Sequence, residues 1–161
     1  MSKHKSIPSA PITQKKAAYS GTVSRSIPAS NVNEYYSKHP AWCFRTCDCE
    51  YWKLSKDTAD EAFWDEILPK LRGFESQTWS NILVDANKQN HPIPVEQLNK
   101  CARDRLRDLY IEAEAIISLR LNATHRIYGY ISDGPVFYIL WYDTDHGDND
   151  TCVCRSVLKH S

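Results

Sequence analysis

Apolar and polar positions divide the chain into an unpatterned beginning, a helical middle and a stranded end. Ala59, Ala62, Phe63, Ile67 and Leu71 recur at the three- and four-residue intervals that make one stripe of a helix. Ser55, followed by Asp57 and Asp60, supplies its start, and Pro69 is expected to kink or end it. The segment "SQTWSNILVDANK" predicts a second helix, with Trp79, Ile82, Leu83 and Ala86 on one stripe. A third is expected from Pro94, with Val95, Leu98, Ala102, Leu106 and Leu109 facing inward and charged residues outward. From Ala115 the period drops to two: Ile117, Leu119 and Leu121 alternate with Ser118, Arg120 and Asn122. "RIYGYIS" and "PVFYILWYD", joined by the hairpin signal Asp133-Gly134, complete a three-strand meander. "AWCFRTCDCEYWKL" is consistent with a first strand, "TCVCRSVL" with a last edge strand, and the acidic "DTDHGDND" with a loop.

This order predicts the α+β class, with helices packed on one face of a small twisted antiparallel sheet. Residues 41–161 make a single α+β domain by this reading. Residues 1–40, rich in Ser, Pro and Lys and poor in apolar residues, are expected to be a disordered arm, because they cannot bury enough surface to offset the entropy of ordering. If the turns are simple hairpins, residue 120 lies near 126 and 126 near 141. Ile127, Ile131, Val136 and Leu140 then face the helices, while Arg120, Arg126, Tyr128, Tyr130 and Trp141 share the open face.

Composition changes this picture in a few places. The net charge is zero, yet the first 40 residues hold Lys3, Lys5, Lys15, Lys16, Arg25 and Lys38 against Glu34 alone, leaving the remaining body acidic by the same excess. Such asymmetry fits a polyanionic partner or a solvated arm. The sequence contains no run of about 18 apolar residues, and its start carries no apolar stretch of the signal-peptide kind, so a cytoplasmic protein with no membrane partner is expected. Only five glycines occur, and no Gly-rich phosphate loop, nucleophile elbow or zinc-binding histidine helix appears. "CFRTCDC" and "TCVC" bring Cys43, Cys47, Cys49, Cys152 and Cys154 to the two ends of the domain, where they read either as buried thiols or as ligands of a structural zinc. No other metal site is expected.

Two guanidiniums side by side on a sheet repel unless an anion lies between them, and aromatic rings beside them offer stacking surfaces for bases. A phosphodiester of single-stranded RNA satisfies both; surface carboxylates with packed aromatics satisfy the same pattern without RNA. His146 is flanked by Asp143, Asp145, Asp148 and Asp150, carboxylates expected to raise its pKa.

The stretch "LRLNATHRIYGYISDGPVFYILWYDTDH", behind a helical region containing "TWSNIL", resembles the RelE/ParE superfamily of bacterial toxin-antitoxin toxins in the order of its pattern over residues 60–146. The resemblance implies a metal-independent mRNA endoribonuclease (a hydrolase) acting at the ribosome and controlled by an antitoxin protein; a gyrase target is a third option. Arg126 then matches the phosphate-stabilising arginine and His146 the acid/base histidine, with His125 beside them as a further catalytic candidate. Arg120 would clamp phosphate, and Tyr128 or Trp141 would stack a base. The alternative is a non-enzymatic module that binds protein or nucleic acid, stabilised by zinc held on the cysteines.

Overall fold

The computed structural model describes residues 25–26, 32–148 and 150–154. In chain order the elements are β1 (Arg25–Ser26), α1 (Val32–Tyr35), β2 (Ala41–Cys43), α2 (Lys56–Ala59), α3 (Leu68–Glu75), β3 (His91–Pro94), α4 (Lys100–Asp108), β4 (Ile111–Glu112), β5 (Ala115–Arg120), β6 (Arg126–Ser132) and β7 (Val136–Asp143). Five of the strands form one sheet in the order β2-β7-β6-β5-β3, antiparallel except where β2 lies parallel to β7. β1 pairs separately with β4. The class is α+β, as the change of period predicts. Among the described residues no helix is long and apolar enough to cross a membrane.

Most of residues 1–31 of the expected arm over 1–40 lies outside the described residues, as do residues 155–158 of the expected last strand and residues 159–161 after it. Within the described part of that arm, Tyr35 and Tyr36 pack against the core. Of the last strand, Cys154 forms one antiparallel bridge, to Leu98.

The first predicted helix is cut in two. Asp60 takes a positive φ of 40° and ends α2, and a π-helical turn over Phe63–Ile67 leads into α3. Pro69 does not end this helix but opens α3, where a missing N–H costs little. The wide turn ahead of it, in which the Leu68 N–H reaches back to the Phe63 carbonyl, accommodates a residue that cannot donate to its own i−4 carbonyl. "SQTWSNILVDANK" is shorter than its apolar stripe suggests, centring on a π-helical turn at Asn81–Asp85. The third helix begins not at Pro94 but at Lys100. Pro94 instead closes β3, an edge strand that tolerates Pro92 and Pro94 because only one side needs ladder bonds.

The Arg120–Arg126 pairing is as expected. Arg126, however, lies opposite Asp143 rather than Trp141. A three-residue loop over positions 133–135 and a bulge between Tyr128 and Gly129 each move the register by one, so the net shift keeps the parity of the face. Asp133 and Gly134 both have positive φ, 54° and 78°, the left-handed conformation that the Asp-Gly pair tolerates. Between the loop and the bulge only the first of these shifts acts, and it carries Val136 and Leu140 to the face opposite Ile127 and Ile131.

Both faces of the sheet are covered. On one, Ile117, Leu119, Ile127, Ile131, Phe137 and Ile139 pack against Ile67, Leu71, Phe74, Trp79 and Ile82 from the helical middle. On the other, Ile116, Tyr128, Tyr130, Tyr138, Leu140 and Trp141 pack against Leu98, Ala102 and Leu106 of the α4 region and against Val153 and Cys154. The face expected to be open is therefore largely a second core. Fully burying each large apolar side chain there contributes about 1.5–3 kcal/mol, which is why an alternation read as inside against outside becomes inside on both sides.

Candidate functional site

One end of that second face borders a cleft. Strand pairing aligns His91 of β3, Ser118 of β5, Tyr128 of β6 and Trp141 of β7 in one row across the sheet, with Arg120, Arg126 and Asp143 in the next. Cross-strand partners point to the same side, so these groups share a floor.

A loop then folds back over this floor. After β7 the chain is tied by the buried Asp143 carboxylate, whose two oxygens accept from the Asp145 N–H at 2.9 Å and the Val153 N–H at 2.9 Å. The His146 N–H donates to the Thr124 carbonyl at 3.0 Å, and the Asn99 N–H to the Val153 carbonyl at 2.8 Å. These ties bring His146, Gly147 and Cys154 against the floor as one wall of a cleft of about 270 Å³, with Lys88, Gln89 and His91 among its other lining residues. Ser118 and Arg126 reach it from the sheet. Among the described residues no carboxylate lines the cleft, whereas a lysine, an arginine and two histidines do.

His146 Nδ1 lies 3.3 Å from the Tyr128 hydroxyl and 3.4 Å from Cys154 Sγ. The Tyr128 hydroxyl also donates to Cys154 Sγ at 3.3 Å. Burial, and then the charges of Arg126, His91 and Arg120, push the His146 pKa down, so the ring is neutral at pH 7. The aspartates around it in sequence were expected to raise it. Asp145, Asp148 and Asp150 are instead exposed, and Asp143 is committed to backbone N–H groups and lies opposite Arg126. Burial raises the Asp143 pKa and lowers that of Arg126.

Arg126 is 8 % exposed, and its Nη1 donates to the carbonyls of Asn122 and of His125. Arg120 Nε donates to the same Asn122 carbonyl at 3.2 Å. The like-charged pair is thus held over one peptide oxygen. Arg126 is also among the residues that line the cleft.

The candidates taken from the sequence separate accordingly. Arg126 and His146 come together in one cleft, and Arg120 stands beside them. His125 points through the sheet to the other face, where its Nδ1 is 3.0 Å from the Tyr142 hydroxyl and 3.3 Å from Glu66 Oε2. Burial, and then Glu66, push Tyr142 up to about 12. Tyr128 and Trp141 are fully buried, so neither ring can stack a base. Only the Tyr128 hydroxyl reaches the histidine, and burial keeps it protonated. The Trp141 indole donates to Asp48 at 3.1 Å, fixing the strand to the segment after β2.

His91 and Lys88 escape a reading by sequence, Ser118 is read there only as a strand position, and Cys154 only as a buried thiol or a zinc ligand. The signal for His91 was present in "HPIP", since alternate prolines mark an edge strand and put His91 in register with Ser118. Of the cysteines, Cys43 borders the second core and Cys47 the first, while Cys152 and Cys154 lie in the returning loop. Among the described residues no group of three or more His, Cys, Asp or Glu side chains is arranged to hold a metal ion. No family model, curated protein or solved structure matches the chain.

Proposed function

We propose that the cleft binds a phosphate-bearing ligand and that the protein is a RelE-like endoribonuclease cutting RNA, in particular mRNA at the ribosome. The observation that carries this reading is the set of groups around one cleft that no carboxylate of the described residues lines: Arg126, Lys88, His91 and His146. Such a set favours an oxyanion over any other ligand class.

Cleavage without a metal needs a base for the 2′-hydroxyl, an acid for the departing 5′-oxygen and cations facing the phosphorane. His146 is the base, since a ring held neutral at pH 7 has a free nitrogen for the proton. His91, from the edge strand that lines the same cleft, is the acid, and Arg126 takes the charge that grows on the non-bridging oxygens. The 2′-oxygen bonds to phosphorus as the bond to the 5′-oxygen breaks, leaving a 2′,3′-cyclic phosphate and a 5′-hydroxyl. Base recognition falls to groups other than Tyr128 and Trp141, which lie within the core. Arg120 extends the cationic field alongside. An antitoxin that covers this cleft would silence it, as the RelE/ParE resemblance implies.

A translation reaction charged with the purified protein tests the reading. Message should be cut by the wild type and left whole by Arg126→Ala and His146→Ala. Intact message with the wild type, or equal cutting by all three, rejects it.

A further inference from the structure

Of the cysteines among the described residues, one differs from the rest in its company. Cys154 Sγ accepts from the Tyr128 hydroxyl at 3.3 Å, lies 3.4 Å from His146 Nδ1, and stands within the electrostatic reach of Arg126. It is also among the residues that line the cleft, although it is only 8 % exposed. Cys152 is two residues away, fully buried, with its thiol turned to the Cys154 carbonyl and pushed up to about 11 by burial. Burial pushes Cys47 up to about 11 as well. Cys49 and Cys101 are exposed, and Cys49 donates to the Cys47 carbonyl at 3.8 Å.

We propose that Cys154 is a nucleophilic thiol served by His146, and that the cleft is a site of covalent modification by small soft electrophiles, peroxides above all. The thiolate is the reactive form, and it is favoured beside hydrogen-bond donors, imidazole and cationic groups. The neutral His146 ring accepts the thiol proton at Nδ1. The Tyr128 hydroxyl, kept protonated by its burial, donates to the sulfur throughout. With a peroxide, the sulfur lone pair attacks one oxygen and the O–O bond breaks. The leaving hydroxide takes the proton from His146 and departs as water, so the sulfur is oxidised by two electrons to a sulfenic acid and the peroxide is reduced. The product carries a new oxygen against His146, in the space an anionic ligand would occupy. This inference stands apart from RNA cleavage, and its test contains no RNA.

The full chain is treated at pH 7 with limiting iodoacetamide, and the extent of labelling at each cysteine is followed by peptide mass mapping. Cys154 should label about tenfold faster than Cys49 and Cys101 despite being less exposed than either. His146→Gln should remove that advantage while the Cys49 and Cys101 rates stay as they were, which also reports that the variant is folded. A parallel sample exposed to hydrogen peroxide and then to dimedone should carry the adduct at Cys154 first. Cys154 labelling more slowly than Cys49 in the wild type, or at an unchanged rate in His146→Gln, overturns the proposal.

Discussion

Replacing Asp143 by Ala should release the loop that forms one wall of the cleft. The carboxylate is fully buried and accepts the Val153 and Asp145 N–H groups, so its removal orphans one fully buried donor and one at the margin. An unmet buried N–H costs about 1–3 kcal/mol, and Arg126 loses the acid it faces across the strand pair. Against this, the burial that raises the Asp143 pKa shows that the ionised group is itself held at a cost, which the variant no longer bears. The net expectation is a loss of about 1–3 kcal/mol at pH 7, read as a lower midpoint in urea with an unchanged slope. The sign of the pH dependence follows from the raised pKa. The folded carboxyl binds its proton more tightly than the unfolded one, so its contribution is full at low pH and lost as pH rises through the folded pKa. Asp143→Ala should therefore lose less stability than the wild type between about pH 4 and neutrality. With the loop freed, the His146 titration, followed by NMR, should move back up toward about 6.5 as burial is relieved. Stability within about 0.5 kcal/mol of wild type together with an unmoved His146 resonance would refute the assignment of Asp143 as the tie.

Asp48 should be the most sensitive acid in the molecule: it is buried and accepts from Arg105 at 2.7 and 2.9 Å, from Trp141, and from the N–H groups of Glu50 and Tyr51. Asp48→Ala should cost about 3–5 kcal/mol in urea unfolding, the range for breaking a buried pair. Burial opposes its ionisation, but Arg105 and the other donors outweigh burial and hold the pKa low, so this stability is lost as pH falls through the folded pKa. Gly129→Ala should cost upward of about 1–3 kcal/mol in thermal unfolding, because the new Cβ would collide with the Tyr138 carbonyl oxygen and sit 2.7 Å from Phe137 Cε1. His146→Gln should flatten the loss of wild-type stability below about pH 6.5, since a depressed histidine pKa makes the unfolded chain bind the proton more tightly; comparing urea midpoints at pH 5 and 8 reads this.

The parts of the fold that could be read from the sequence are those where one local signal dominates. The period-two runs, the Asp133-Gly134 turn and the Arg120–Arg126 pairing emerge because each is fixed by neighbours a few residues apart. The bulge after Tyr128 is not encoded that way. It falls where Tyr138 and Phe137 approach Gly129 too closely for a Cβ, a contact made only once the sheet exists. The second core is hidden for a related reason: tyrosine and tryptophan beside arginine look like an open face until α4 and the returning loop cover them. Arg126 and His146 stand out in the sequence by residue type alone. Their meeting depends on Asp143 reaching ten residues ahead to Val153, which no periodicity announces.

The end groups left on cut RNA test the central claim most directly. If Arg126, His146 and His91 turn the 2′-hydroxyl on the adjacent phosphate, mass spectrometry of fragments from a ribosome-bound message treated with the wild-type protein should find 2′,3′-cyclic phosphate paired with 5′-hydroxyl. No such fragments should appear with His146→Ala. Uncut message, or fragments ending in 3′-hydroxyl and 5′-phosphate, would contradict it.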